Sequence, residues 1–335
     1  VTASVITSSA ASRDREPAAG TGEAELCLRV VGKAAVARGV VVLELTAPDG
    51  RVLPAWSPGA HVDLVLGNGL IRQYSLCGDP RRNTVWRIGV LREADSRGGS
   101  AYVHDVLQVG DEVRVRGPRN NFALATAQRY VFVAGGIGVT PILPMLVEAE
   151  RRGAAWHLYY GGGSRDSMAF LDELAGYGDR VTLVPQDVCG LLDLDAILEA
   201  PADGTLVYCC GPEGLLEAVT RRAEPWPRDT LRIERFRNRA PAEPARAAPF
   251  EVVCELSGVT LVVGPGERIV DVAEEAGVGV MYSCSEGTCG TCETAVLDGA
   301  VDHRDAYLTD EQRAAGDRMM ICVSRAAGPR LVLDL

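Results

Sequence analysis

The 335-residue sequence contains one lysine, Lys33, and four histidines. No apolar run approaches the ~18 residues that a membrane-spanning helix requires. Each shortage removes a class of function. With 34 basic against 45 acidic side chains the formal net charge is −11, which argues against nucleic acid as a partner. His61, His104, His157 and His303 are scattered, and no two stand at metal-ligand spacing. They read as structural or surface residues, and no Ser–His–Asp arrangement can be argued. The first 20 residues are rich in Ala, Ser and Thr but lack the apolar segment of a signal peptide, and no membrane association is expected. Ten cysteines without an export signal point to a reducing compartment, the cytoplasm, rather than to a disulfide framework. No catalytic side chain is expected beyond whatever cofactors are bound.

The length suits two or three domains, and a hydrophobic content of 47% is ample for real cores. Residues 1–24 are low in complexity and read as a disordered leader or linker. Over 25–126 short β-branched runs alternate with turns such as Pro48-Asp49-Gly50 and Gly67-Asn68-Gly69. The runs are Glu25–Val31, Val40–Thr46, His61–Leu66, Ile71–Leu76, Val85–Leu91 and Glu112–Arg116. Six strands with one short helix over 100–107 predict a small antiparallel β-barrel. Over 127–238 the rhythm becomes strand–helix, beginning with the continuous apolar run Tyr130–Ala134 and ending with a strand over 231–236. That alternation predicts a doubly wound α/β domain. Three prolines mark 239–249 as a linker. Residues 250–335 open on a predicted hairpin, followed by a helix over 269–276.

That last segment holds the most informative stretch, Cys284-Ser285-Glu286-Gly287-Thr288-Cys289-Gly290-Thr291-Cys292, followed after 29 residues by Cys322. The order C-x4-C-x2-C…C is the plant-type 2Fe–2S ligand spacing. Zinc knuckles favour paired C-x2-C units, and only Cys289 and Cys292 form one. Gly287 and Gly290 let the loop wrap closely and aim backbone N–H groups at the cluster sulfides. The fourth ligand, Cys322, comes from a β-rich run over 319–323. The other six cysteines read mostly as small buried hydrophobes.

Three further constellations stand upstream. In Arg72-Gln73-Tyr74-Ser75 the arginine and tyrosine are two apart on a strand and face the same side. A tyrosine can lie flat against an isoalloxazine ring while an arginine pairs with a phosphate. Surface strands also carry such pairs for no chemical reason. Ser96-Arg97-Gly98-Gly99-Ser100 precedes the predicted short helix. Free N–H groups at Gly98 and Gly99, with Ser100 as cap, make either an anion site or an ordinary capped loop. Gly135-Gly136-Ile137-Gly138-Val139-Thr140-Pro141 follows a buried strand, with Thr140 expected as N-cap and Pro141 as first helical residue. It is a close backbone approach to a ligand at the carboxyl end of a parallel sheet, or a tight strand–helix turn. Cys210-Gly211-Pro212 closes a later strand near the same edge, where a buried cysteine is more often packing.

Taken in this order, from Glu25 to Leu335, the motifs resemble the phthalate dioxygenase reductase family, which includes vanillate demethylase reductases. The same arrangement forms the reductase portion of self-sufficient fused cytochromes P450. Pro58–Leu64, Arg116–Asn120 and Leu297-Asp298-Gly299 resemble that branch. The resemblance implies an FMN barrel, a nicotinamide domain and a C-terminal ferredoxin-like (β-grasp) domain whose cluster is held by Cys284, Cys289, Cys292 and Cys322. It implies that Arg72, Tyr74 and Ser75 contact the flavin, with Gln73 in the same cofactor-binding strand, and that Gly98, Gly99 and Ser100 lie near its phosphate. Gly138, Thr140 and Pro141, with Gly136 before them, would lie between flavin and nicotinamide. Cys210, Gly211 and Pro212 would lie beside the nicotinamide, and Phe236 would stack on the flavin. In the adenosine-side loop Gly162-Gly163-Ser164-Arg165, Gly163 stands where relatives often carry a first basic residue. One arginine, Arg165, then remains for a 2′-phosphate, which favours NADH over NADPH.

The expected function follows. NADH reduces FMN, electrons pass singly to the cluster, and a partner oxygenase, Rieske-type or cytochrome P450, receives them. Residues 250–335 carry 15 acidic side chains against 6 arginines, so the partner is expected to dock on this acidic domain with a basic face. Two other classes fit the same motifs. One is a flavin reductase or diaphorase with a small diffusible acceptor, and the other is a redox-sensing cluster protein.

Overall fold

The computed structural model describes residues 25–94, 96–227, 229–238 and 248–335. The expected leader, and the expected linker apart from its last two residues, lie outside the described residues.

The β-branched runs of the first unit pair as predicted. Strands β1 (Glu25–Ala37), β2 (Val40–Thr46), β3 (His61–Val65), β4 (Ile71–Ser75), β5 (Trp86–Leu91) and β6 (Glu112–Arg119) form an antiparallel sheet in the order β4-β3-β6-β1-β2-β5. An isolated bridge joins Leu76, just past β4, to Ile88 of β5, so the two sheet edges meet. Alternate side chains turn inward, and Leu28, Leu43, Leu64 and Trp86 are fully enclosed. β1 runs six residues further than the apolar pattern predicts, because register shifts after Val30 and Ala35 bend it along β2. Helix α1 (Gly99–Asp105) begins one residue earlier than predicted. The turn before β3 depends on Gly59, whose φ of +93° favours glycine and whose Cβ would stand 2.0 Å from the Phe122 carbonyl oxygen.

The second unit is the expected parallel sheet. Strands β7 (Arg129–Gly135), β8 (Ala155–Gly162), β9 (Val181–Pro185), β10 (Thr205–Cys210) and β11 (Leu231–Glu234) lie in the order β11-β10-β7-β8-β9. Helices α2 (Ile142–Arg152), α3 (Leu171–Ala175), α4 (Gln186–Cys189), α5 (Leu194–Ile197) and α6 (Glu213–Arg222) connect them. The strand order reverses between β7 and β10, and this switch point opens a crevice at their carboxyl ends. α3 starts later than predicted because Phe170 takes φ +65° and breaks the run from Met168. β11 stops at Glu234, so Phe236 lies beyond the strand that was expected to carry it. Val40, Val42 and Cys77 of the first unit share one apolar core with Tyr130, Phe132 and Tyr208. The two units are therefore joined by burial rather than by a hinge.

In the third unit β12 (Phe250–Cys254) and β13 (Val259–Val263) form the predicted hairpin, and α7 (Ile269–Glu275) buries Ile269, Val270 and Ala273. The remaining elements are β14 (Glu293–Asp298), β15 (Val301–Asp302), α8 (Asp310–Ala315), β16 (Arg318–Met320), β17 (Arg325–Ala326) and β18 (Arg330–Leu333). Their main sheet is mixed, β13-β12-β18-β14-β16, with β12 parallel to β18. The run expected to be strand through Val323 stops at Met320, and Cys322 sits in the turn that follows. Of the six other cysteines, Cys77, Cys209, Cys210 and Cys254 are buried as expected, whereas Cys27 and Cys189 are exposed. Among the described residues no helix is long and apolar enough to cross a membrane.

Replacing Gly59 with alanine is expected to destabilise the chain by about 2 kcal/mol or more, from the left-handed backbone and the clash together. Chemical denaturation followed by tryptophan fluorescence measures it. An unchanged midpoint would show that this turn adapts freely.

Candidate functional site

The three units enclose a cleft of about 1300 Å³. Its parallel-sheet wall is built at the switch point. Gly135 ends β7, and Gly136–Val139 winds into a 3-10 turn. A Cβ on Gly138 would stand 2.3 Å from the Cys210 carbonyl oxygen, and one on Gly211 would stand 3.0 Å from the Gly135 backbone. The glycines thus let the ends of β7 and β10 touch, which brings Gly136, Gly138, Cys210, Gly211 and Pro212 to one edge. Thr140 is not the N-cap that was expected. The chain is already helical there, and its hydroxyl donates back to the Ile137 carbonyl at 2.9 Å. Pro141 takes the N-cap position before α2. Ile137 and Thr140 line the cleft.

Two acids of this wall are shifted by burial. Cys210 is enclosed and its Sγ lies 4.0 Å from Glu234 Oε2. Burial, with the nearby Glu234 and Cys209, pushes its thiol well above the ordinary range. Glu234 also lines the cleft, and burial raises its carboxyl to about 8. Neither its position nor its neutrality was read from sequence. A single glutamate at a strand end carries no periodic or spacing signal.

The opposite wall is β4. Arg72, Gln73, Tyr74 and Ser75 all line the cleft, and burial raises the Tyr74 phenol. The Ser75 hydroxyl is buried without a hydrogen-bond partner, as is Nε2 of His61 beside it on β3. Two orphaned polar atoms on one cavity wall fit a bound group with hydrogen-bonding edges. His61 was expected to be merely structural or superficial, and the cleft gives it another setting. The Arg72 side chain passes close over Gly99, where a Cβ would stand 2.6 Å from it. Ser100 does not cap α1. Gly98 takes the N-cap position, and the Ser96 hydroxyl accepts from the Gly98 and Ala101 N–H groups at 3.2 and 3.3 Å while Ser100 donates to it at 3.0 Å. Arg97 is shifted down by burial and then by Arg72 and Arg237. These three guanidiniums gather at one end of the cleft, as a doubly charged phosphate would require. Arg97 pairs with Glu286, and Arg237 with Glu93 at 2.6 Å. Phe236 stands at the rim, 40% exposed. Arg165 lies exposed beyond β8, outside the cleft lining.

The third wall is the cysteine loop, and Cys284 and Cys322 face the cleft. None of the four cysteines is in a disulfide. Cys284 lies within hydrogen-bonding reach of Cys289 and Cys322, and Cys292 within reach of Cys322. The Glu286 N–H points at Cys284 Sγ (3.3 Å) and the Thr291 N–H at Cys289 Sγ (3.4 Å). Ser285, Gly287 and Gly290 all have positive φ. A Cβ on Gly287 would strike Val323, and one on Gly290 would strike the Tyr307 ring. Four converging sulfurs, backbone donors aimed at them and a loop with no spare room fit a two-iron cluster.

Residues 252–327 match the sequence family described as a 2Fe-2S iron-sulfur cluster binding domain. The chain is 44% identical over 314 residues to the phenoxybenzoate dioxygenase subunit beta of Ectopseudomonas oleovorans, covering 93% of this chain and 98% of that one. Among solved structures it is similar to an intact type IV self-sufficient cytochrome P450 monooxygenase, with TM-score 0.85 and 43% identity. That match covers 96% of this chain but 43% of the other, so the chain spans less than half of the fused protein. It is also similar to phthalate dioxygenase reductase, described as a modular structure for electron transfer from pyridine nucleotides to 2Fe–2S. There the TM-score is 0.73 and the identity 36%, over 94% of this chain and 98% of that one.

Glu234 has a pH signature. Its carboxyl ordinarily titrates near 4.5 and is raised to about 8 here, so the fold holds a proton that the unfolded chain releases. That contribution to stability is present at low pH and is lost as pH rises through about 8. Glu234→Gln is therefore expected to flatten the decline in unfolding free energy between pH 5 and 8, as measured by denaturant titrations across that range. An identical slope in the variant would show that the carboxyl is ionised throughout.

Proposed function

The chain belongs to the phthalate dioxygenase reductase family, and from that premise we propose that it carries electrons from NADH through FMN and a 2Fe–2S cluster to an oxygenase. One observation carries the reading: β4, the glycine edge of the parallel sheet and the cysteine loop line a single cleft. When bound, FMN accepts a hydride from the nicotinamide and releases its electrons singly to the cluster. The chain's own residues bind, orient and exclude water.

In this reading 25–126 is the FMN domain, its sheet closed into a barrel where Leu76 meets Ile88. Residues 127–238 bind the nicotinamide, and 250–335 form the ferredoxin domain. Arg72, Arg97, Arg237 and Ser100 take the phosphate. Tyr74 and Phe236 flank the ring, and the Ser75 hydroxyl meets its polar edge. Gly136, Gly138, Thr140 and Pro141 form the floor on which flavin and nicotinamide meet, with Cys210, Gly211 and Pro212 beside the nicotinamide. Glu234, neutral below about pH 8, lets the hydride arrive without a buried negative charge nearby. Arg165 alone faces the adenosine end, which favours NADH. Cys284, Cys289, Cys292 and Cys322 hold the cluster, and ten cysteines without a disulfide suit a cytoplasmic setting.

The partner, a Rieske-type oxygenase or a cytochrome P450, docks on the ferredoxin domain. Glu251, Glu255, Glu274, Glu275, Asp298 and Asp310 are exposed there. Met281, 67% exposed and three residues before Cys284, offers the apolar centre such a contact needs.

Anaerobic titration with NADH tests the relay, and about three electrons are expected, two on flavin and one on the cluster. Cys289→Ser should abolish electron transfer to a one-electron acceptor and leave flavin bleaching by NADH. Uptake without any cluster signal would leave a flavin reductase instead. The rate of reduction of a purified partner should fall steeply with ionic strength, because the attraction is between unlike charged faces. A salt-independent rate would sink the acidic docking face.

A further inference from the structure

The cysteine loop reaches the antiparallel sheet through one buried acid. His61 and Asp63 alternate onto the same face of β3, and Asp63 is completely enclosed. One of its oxygens accepts from Arg119 of β6 at 2.5 Å and from Gln73 of β4 at 3.0 Å. The other accepts from the Ser283 hydroxyl at 2.5 Å. Ser283 is itself buried and immediately precedes Cys284. Two residues past Arg119, Asn121 donates to the Cys289 carbonyl at 3.0 Å. The loop is therefore held at two points, through Asp63 at the residue before its first cysteine and through Asn121 at its second. Gln73 lies on the flavin wall, so a single carboxylate touches that wall with one oxygen and the cluster loop with the other. Beside it, the buried and unpartnered His61 Nε2 opens on the cleft that Cys284 also lines.

We propose that Asp63 is the positioning residue that seats the cluster loop against the flavin wall, acting through the Ser283 hydroxyl. This rests on the flavin-to-cluster reading above. The step it serves is electron transfer alone. When bound, the flavin would release the two electrons of the hydride one at a time, each taking one ferric iron of the cluster to ferrous and passing on to the oxygenase before the next arrives, with the hydride's proton released to solvent. No bond within the chain forms or breaks, so the protein acts on the separation and orientation of donor and acceptor. A buried carboxylate suits this task. It has no water to fall back on, so its donors are held in fixed directions. The exposed pair between Arg97 and Glu286 spans the same seam but is screened by solvent and holds it more loosely.

The test uses the full chain with flavin and cluster bound, and compares Ser283→Ala, Ser283→Thr and Asp63→Asn. Stopped-flow mixing with NADH at two wavelengths separates flavin bleaching from cluster reduction. In Ser283→Ala flavin bleaching keeps the wild-type rate and cluster reduction slows about tenfold or more, since misplacement by about 1 Å is costly at this scale. Ser283→Thr keeps the hydroxyl and restores the rate. Two readouts stand apart from turnover. Amide hydrogen exchange across residues 283–292 rises in Ser283→Ala and Asp63→Asn, and the cluster midpoint potential stays at the wild-type value. Wild-type cluster reduction and exchange in folded Ser283→Ala would overturn the proposal. So would a shift in potential large enough to explain the slower step. Absence of cluster reduction in the unsubstituted protein would instead overturn the relay reading, and this inference with it.

Discussion

A carboxylate taken completely out of water stands where two folding units meet. Asp63 lies at the middle of β3, between the β4 wall of the cleft and the cysteine loop. Burying a charge is tolerated when hydrogen bonds replace the lost water, and here they come from Arg119, Gln73 and Ser283. Arg119 ends β6, Gln73 belongs to the β4 wall of the cleft, and Ser283 leads into the cysteine loop. A chain that moves electrons between bound groups must hold those groups close. Apolar burial joins the first two units across a wide core, whereas the third is attached along its seam by directional polar contacts. Such contacts are weaker in sum but stricter in geometry, which suits a junction where orientation matters more than area.

Charge is distributed to match. The cleft gathers Arg72, Arg97 and Arg237 inside a protein whose net charge is −11. The ferredoxin unit carries most of the excess acid on its outside. The interior of the cleft therefore attracts anions while the outer face of this unit repels them. Glu234 lies beside Cys210 at the glycine edge, where burial raises its carboxyl to about 8.

Much of this was legible in the residues. The cysteine spacing, the switch from short alternating strands to strand–helix repeats, and the glycine loop after an apolar strand all rest on local rules that context does not overturn. The errors were also local. Ser100 and Thr140 look like helix caps because each precedes a helical pattern. Ser96 has the free backbone donors within reach, and the glycine turn has already brought the chain into helical geometry before Thr140. Phe236 looks like part of a strand because apolar residues precede it, but pairing with β10 ends two residues earlier. The short strands β14, β15, β17 and β18 escaped because they are brief and are specified by partners far along the chain rather than by their own pattern.

By itself the sequence determined which chemistry this protein hosts. Ligand identity, ligand spacing and the need for glycine at a close approach are properties of a few neighbouring residues, and they survive in any fold that accommodates them. Tertiary structure alone decided how the sites face one another. Ser283 and Asp63 are 220 positions apart, Asn121 and Cys289 are 168 apart, and Cys210 lies 24 positions from Glu234. No periodicity links such pairs, because hydrogen bonds and burial act over a few ångströms in space and not along the chain. His61 shows the difference most plainly. As a lone histidine it carried no signal. Folded, it is a buried imidazole on the wall of the cleft, and only the packing of three units around that cleft put it there.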